Sequence, residues 1–187
     1  VLGAQEKFNL KSFLLDIEKR KETQIENKHI KHVNKFYPGY SKGDRVRSFF
    51  KVQDGCNYFC SFCTIPLARG KSRSGNVEET MVKAREIASS EVKEVVLTGV
   101  NIGDFGYGTK EGLIDLLIEL DKLEQINRFR ISSIEPDLLS NEIIEFVYKS
   151  KRFVPHFHIP LQSGSDKLLQ SMRRRYDLSL IHIPSPR

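Results

Sequence analysis

Gln53-Asp54-Gly55-Cys56-Asn57-Tyr58-Phe59-Cys60-Ser61-Phe62-Cys63 holds every cysteine of this 187-residue chain. The three thiols sit within eight residues, in C-x3-C-x2-C spacing. A disulfide framework uses an even count and spreads it along the chain. Clustering points instead to metal chemistry in a reducing compartment. Iron–sulfur clusters are held by Cys thiolates, usually four. Three thiolates on one loop leave one iron of a 4Fe–4S cluster open to another ligand. Zinc is the main alternative, but it wants four ligands, commonly in two separated pairs, and no second pair exists here. Buried structural cysteines are a further alternative, and three such thiols at the end of one strand suit it poorly.

Outward from the cysteines the chain alternates strand and helix signals. Val46 to Val52 reads as the strand that delivers Gln53-Asp54-Gly55. Val77 to Ser89 reads as a helix, with Glu78 and Glu79 favourably near its start. Val92 to Thr98 is β-branched and strand-like, Glu111 to Leu123 is amphipathic, and Phe129 to Ile134 is a strand stopped by Glu135-Pro136. A helix over Asp137 to Lys149 follows, then a strand over His156 to Pro160. A helix over Ser165 to Arg174 closes the series, with Ser165 as its N-cap. About four β–α units in succession predict an α/β fold with a parallel sheet and right-handed crossovers. Ligands bind such sheets at the carboxyl ends of the strands. The unusual residues fall there: Asp54-Gly55-Cys56, Thr98 to Asn101, Ser132 to Pro136 and Leu161 to Gly164.

Residues 1–44 read as an N-terminal arm. Leu10, Phe13, Leu14 and Ile17 have helical spacing, and Pro38-Gly39 marks a turn. The first residues lack an initiator Met, a basic start and an apolar stretch, so they form no signal peptide. No apolar run reaches the roughly 18 residues that a membrane helix needs. No membrane association and a cytoplasmic location are the expectation. The net charge is +6, unevenly placed. Residues 19–35 carry Lys19, Arg20, Lys21, Lys28, Lys31 and Lys35 against Glu22 and Glu26. Arg69, Lys71 and Arg73 form a second group, and Arg173, Arg174 and Arg175 a third. Such runs are commonly solvated faces. Three of them in a basic chain also suit a polyanionic partner such as RNA.

The cysteine spacing, with an aromatic residue before the last Cys and a strand before the first, resembles the radical-SAM superfamily. That resemblance implies a partial TIM-like barrel in which the open iron takes the amino and carboxylate groups of S-adenosylmethionine. Reduction by an electron donor then cleaves the sulfonium to a 5′-deoxyadenosyl radical, and Phe62 sits near the adenine. More of the chain is similar to the methylthiotransferases: Gln53 to Asn57, Ile65 to Ser74, Leu97 to Gly106, Arg130 to Pro136, His158 to Ser165 and Met172 to Tyr176. Among these, the loops look most like the branch that adds a methylthio group to C2 of N6-threonylcarbamoyladenosine beside the tRNA anticodon. Sister branches act on isopentenyl-adenosine or on a ribosomal protein.

By this resemblance one S-adenosylmethionine methylates sulfur and another supplies the radical. The metal ligands are Cys56, Cys60 and Cys63. The expected S-adenosylmethionine contacts are Phe62, Thr98, Gly99, Asn101, Ser132, Ser133, Glu135 and Gln162, since polar strand-end loops can hydrogen-bond its amino-acid and ribose parts. The plainer alternative is that Gly99 and Gly103 permit a turn and the two serines cap a helix. Arg69, Lys71, Arg73, Arg173, Arg174 and Arg175 are expected to meet tRNA phosphates around the cleft, which suits recognition of an unstacked loop base. His156 and His158 alternate on one strand and receive no role. Catalysis needs no residues beyond the cluster ligands.

The resemblance also predicts a second 4Fe–4S cluster in a domain preceding the arm, and further β–α units with an RNA-binding domain after residue 176. Residues 1–44 would then be the tail and linker of that first domain, and 45–176 a truncated radical-SAM core. Residues 177–187, with Pro184 and Pro186, look like a non-native tail. Such a piece is expected to be inactive alone. A non-catalytic, metal-stabilised RNA-binding module is the competing reading. It predicts zinc and no affinity for S-adenosylmethionine.

Overall fold

The computed structural model describes residues 1–15, 22–42 and 46–181. Its strands are β1 (Gly39–Tyr40), β2 (Arg47–Lys51), β3 (Gln53–Asp54), β4 (Arg73–Ser74), β5 (Glu94–Thr98) and β6 (Arg128–Ile131). Its α-helices are α1 (Leu10–Leu14), α2 (Ile65–Arg69), α3 (Val77–Ala88), α4 (Leu113–Asp121), α5 (Asn141–Lys149), α6 (Asp166–Ser171) and α7 (Leu178–Ile181). Ile17 and the charges at Lys19, Arg20 and Lys21 lie outside the described residues. So do the boundary at 44–45 and residues 182–187.

The central sheet has the order β1-β2-β5-β6. Strands β2, β5 and β6 run parallel, in the register Arg47↔Glu94↔Arg128 and Phe49↔Val96↔Arg130. Each crossover carries a helix, as the alternating pattern requires. Strand β1 pairs antiparallel with β2 and covers that edge, a strand not expected from the Pro38-Gly39 turn. Among the described residues no helix is long and apolar enough to cross a membrane.

Alternation within the strands sorts the two faces. Phe50, Val95, Leu97, Phe129 and Ile131 point to one side and are buried against Met81, Ala84 and Ile87 of α3, Leu116, Leu117 and Leu120 of α4, and Ile143 and Val147 of α5. The opposite face is only half covered. At its amino end Glu94 is held by Arg47, Arg128 and Arg130 at 2.6, 3.4 and 3.1 Å. At its carboxyl end Lys51 and Thr98 border a cavity.

Local signals set the helix starts. Asn76 accepts from Glu79 N–H and the Glu79 carboxylate accepts from Asn76 N–H, a reciprocal cap for α3. Ser140 caps α5 through Ile143 N–H. Ser165 is the N-cap of α6 but makes no side-chain cap bond. The helical spacing at Leu10, Phe13 and Leu14 is matched by α1, which follows a 3-10 turn over Glu6–Asn9. One expectation needs correction. The fourth strand is not regular: it touches the sheet only at the isolated parallel bridges Phe129↔Phe153 and Ser133↔His158. Pro155 lacks a ladder donor, and the His156 N–H turns back to the Val154 carbonyl at 2.7 Å. His156 and His158, two residues apart, would share one face of an extended strand rather than take opposite faces, and both are exposed.

The loop holding the cysteines is closed at its base by the β3–β4 ladder, Gln53↔Ser74 and Asp54↔Arg73. Gln53 is fully buried. Its amide donates to the carbonyls of Asp54 and Gly55 and to Ser72 Oγ, at 3.0, 2.8 and 2.8 Å. Its oxygen accepts from Asn101 N–H at 2.8 Å, joining the cysteine loop to the loop after β5. Leucine at this position would leave those buried groups without partners. Gln53→Leu is expected to lower the unfolding free energy by about 2–4 kcal/mol, read from the urea midpoint. A midpoint unchanged within error would remove the junction role.

Candidate functional site

Cys56, Cys60 and Cys63 line one cavity of about 410 Å³ at the carboxyl ends of β2 and β5. Phe62, Thr98, Gly99, Asn101, Glu135 and Gln162 line it as well. Residues from four separate loops therefore meet where the sheet topology places a ligand. Ser132 and Ser133 do not join the lining. Ser132 bonds Leu97 O through its backbone, and its buried hydroxyl has no partner among the described residues. Ser133 pairs with His158.

The cysteine loop is shaped by its backbone. Gly55 adopts φ +72°, and a Cβ there would lie 2.0 Å from the Lys71 carbonyl oxygen, so only glycine fits. Cys56 N–H bonds Gly70 O at 3.0 Å, and Cys63 N–H bonds Cys60 O at 3.0 Å. Ser61 N–H reaches Met172 O at 3.2 Å, tying the loop to the turn after α6. Burial pushes the Cys56 thiol up from its ordinary value, against the opposing Tyr58 N–H, with Asp104 nearby adding to the rise. A thiol in such surroundings becomes a thiolate when a metal takes it.

Asp54, beside the first cysteine, is 5% exposed and anchors three cations: Arg73 at 3.0 Å, Arg69 at 3.1 Å and Lys51 at 3.7 Å. It also accepts from Gly55 N–H at 2.9 Å. Burial alone would raise its carboxyl, but the Arg69 hydrogen bond, the Arg73 charge, the Gly55 N–H and Lys51 together hold it below the usual range. Lys51 lies over the rings of Phe8 and Phe36 and is lowered from its ordinary value by burial, against the raising influence of Asp54.

Two of the expected RNA contacts face inward. The Arg73 side chain is 9% exposed and bonds Asp54 and the carbonyls of Arg69 and Lys71. Arg174 is 3% exposed and reaches Glu135 and Cys60 Sγ. Both are spent on internal partners, which corrects their assignment to tRNA phosphates. Lys71 and Arg173 are exposed. Arg69 is half-committed to Asp54, and Arg175 lies over the Tyr58 ring at 3.9 Å while bonding Asn57 O.

The turn after α6 explains the inward arginine. Arg173 N–H bonds Gln170 O and Arg174 N–H bonds Leu169 O, both at 2.9 Å, with Arg173 at φ 58°. This is a Schellman ending with arginine in the left-handed position that glycine favours, a strain of about 1 kcal/mol. Gln162, at φ 62°, is a second such residue on the cavity wall.

Sequence reasoning assigned no role to Gln53, Lys51 or Asp54. The signal for the first and third was a polar pair directly at the end of an apolar strand. A third buried group, Tyr58, donates to Asp137, and its hydroxyl is pushed above its ordinary range by burial and then by that bond.

Among the described residues no three His, Cys, Asp or Glu side chains converge on a single-ion position. The three thiols share one cavity wall. By donor chemistry, three thiolates suit an iron–sulfur cluster with one iron left open and fall one ligand short of a closed zinc site. Asn101 Oδ1, buried and without a partner among the described residues, adds an acceptor beside them.

The sequence profile of the radical SAM superfamily matches residues 50–181. The chain belongs to that superfamily. A threonylcarbamoyladenosine tRNA methylthiotransferase of Bacillus subtilis is 45% identical over 137 residues, covering 72% of this chain and 30% of the relative. A tRNA-2-methylthio-N(6)-dimethylallyladenosine synthase of Pelagibacter ubique is 32% identical over 183 residues, covering 95% and 41%. This radical SAM chain thus spans 30–41% of the length of these curated relatives. The radical S-adenosylmethionine methyltransferase TsrM of Kitasatospora setae, solved with cobalamin and a [4Fe-4S] cluster, superposes with a TM-score of 0.57 at 14% identity, covering 71% of this chain and 27% of that one. That likeness shows the α/β fold with parallel strands, a partial barrel of the superfamily.

The Asp54 clamp has a pH signature. A folded-state pKa below the unfolded value means that its stabilisation is complete above the unfolded pKa of about 3.9 and is lost as pH falls through the folded one. Asp54→Asn is expected to cost about 2–3 kcal/mol at neutral pH, the modest figure reflecting the solvent access of Arg69. The cost should shrink toward about pH 2. Urea unfolding of both chains across that range is the measurement, and curves that stay parallel into acid would refute the clamp.

Proposed function

We propose that this chain is the central part of a tRNA methylthiotransferase that acts at C2 of N6-threonylcarbamoyladenosine. The observation that carries the reading is the convergence of Cys56, Cys60 and Cys63 with the Thr98–Asn101, Glu135 and Gln162 loops on one cavity. The branch is supported by 45% and 43% identity to threonylcarbamoyladenosine tRNA methylthiotransferases of Bacillus subtilis and Aquifex aeolicus. The dimethylallyladenosine synthase of Pelagibacter ubique aligns over 95% of the chain and supports the sister substrate as a second reading.

In this proposal Cys56, Cys60 and Cys63 would hold a 4Fe–4S cluster, and the cavity they line would take S-adenosylmethionine beside it. When bound, the pair supplies one-electron cleavage of a sulfonium. The residues of this chain bind and orient. Thr98, Gly99, Asn101 and Glu135 present hydroxyl, backbone, amide and carboxylate groups to an amino acid and a ribose. Phe62, 54% exposed, offers an aromatic face for a base. Ser132 and Ser133 act from behind the wall, as supports of the β6 loop. Of the two groups beside the cleft, Lys71, Arg173 and the free parts of Arg69 and Arg175 are left for tRNA phosphates. A reducing electron donor, and a second 4Fe–4S cluster in a preceding domain as sulfur source, complete the activity. Residues 45–176 form the core of this assignment, with 1–44 as linker and 177–187 as a foreign tail. The location would be the cytoplasm, where the tRNA is.

Anaerobic reconstitution with iron and sulfide, followed by iron counting and EPR of the reduced chain, tests this. About four irons per chain, and a spectrum that changes on adding S-adenosylmethionine, are expected. Cys60→Ala should abolish both. Retained zinc, or a cluster indifferent to S-adenosylmethionine, would favour a metal-stabilised RNA-binding module. Comparing tRNA that carries threonylcarbamoyl- or dimethylallyladenosine, with the chain in its full-length context, separates the two substrates.

A further inference from the structure

Arg174 is a fully charged guanidinium held out of water beside a cluster ligand. Its Nη1–H points at Cys60 Sγ at 3.2 Å, its Nη2 pairs with Glu135, and the Tyr176 ring lies 5.1 Å from its central carbon. Its Nε has no partner among the described residues. The Schellman turn that aims it inward also receives the Ser61 N–H from the cysteine loop. Arginine cannot shed its proton in a protein. The charge is therefore permanent, and among the described residues Glu135 is the carboxylate that offsets it.

On the cluster reading given above, we propose that Arg174 is a positioning residue that raises the reduction potential of the cluster at Cys60, with Glu135 as its counterweight. Reduction adds one electron from an external one-electron donor, and no bond forms or breaks. The added negative charge is shared by the thiolate sulfurs. A hydrogen bond and a fixed cation at one of those sulfurs stabilise the reduced form more than the oxidised form. Glu135 works in the opposite direction. The pair makes the potential depend on two side chains of opposite sign, joined across the turn after α6 and the loop after β6.

The test is an anaerobic potentiometric titration of the reconstituted full chain without S-adenosylmethionine, followed by EPR. Arg174→Gln is expected to lower the equilibrium constant for reduction about tenfold, a shift of about 59 mV to more negative potential for a one-electron couple. Glu135→Gln should shift it to more positive potential. Lys149→Gln, which removes an exposed charge from α5, should leave it in place. Arg174→Lys, keeping charge but losing the planar fork, should fall between wild type and Arg174→Gln. A merely structural role would alter cluster occupancy without moving the midpoint of the loaded fraction. An unchanged midpoint in Arg174→Gln overturns the proposal. Should that variant fail to load, a Glu135→Gln midpoint that stays put or moves negative overturns it equally. Failure of the wild-type chain to take up iron overturns the cluster reading itself, and this inference with it.

Discussion

A buried carboxylate at the end of the first parallel strand organises this protein. Asp54 carries a negative charge almost out of water, and it persists there because Arg73, Arg69, Lys51 and the Gly55 N–H surround it. Those partners come from the cysteine loop, from its return strand and from β2, so pairing the charge also closes the loop. Gln53, one residue earlier, performs the neutral version of the same task toward the Asn101 loop. An apolar strand end would have been cheaper to bury. Polar groups here fix the loop in one arrangement, and the cysteines ride on that loop.

The positive charge of the chain is distributed differently from what its runs suggest. Composition implies cations waiting on the surface for a polyanion. In the fold, Arg73 and Arg174 are consumed by internal anions, and Arg47, Arg128 and Arg130 gather around Glu94 on the open sheet face. Arginine suits such places because its planar fork satisfies several acceptors at once. Of the two arginine-containing groups beside the cleft, Lys71, Arg173 and parts of Arg69 and Arg175 stay exposed, alongside Lys28, Lys31 and Lys35 of the first run.

The sheet itself is asymmetric. Helices α3, α4 and α5 bury one face completely, while the other carries half-exposed Phe49, Val96 and Lys51 together with the cavity. A closed barrel would enclose that second face. The chain spans only about a third of the Bacillus relative, and a partial barrel is what the three parallel strands β2, β5 and β6 make.

Much of this architecture is legible in the order of the residues. Cysteine spacing, strand–helix alternation and the reciprocal cap at Asn76 and Glu79 are local features, set by neighbours within a few residues, and the placement of odd residues at strand ends follows from topology. The sequence by itself therefore determined a parallel α/β sheet with a three-thiol loop at its carboxyl edge. Tertiary structure alone decided the rest. It placed Asn101 but not Ser132 and Ser133 on the cavity wall, because strand register and loop path settle which polar group faces inward. It broke the fourth strand at Pro155, where a ladder needs an N–H the residue lacks. And it turned Arg174 toward Cys60 and Glu135, a choice no basic run reveals, because a buried charge goes where its counter-charge is, and that partner lies 39 residues away along the chain.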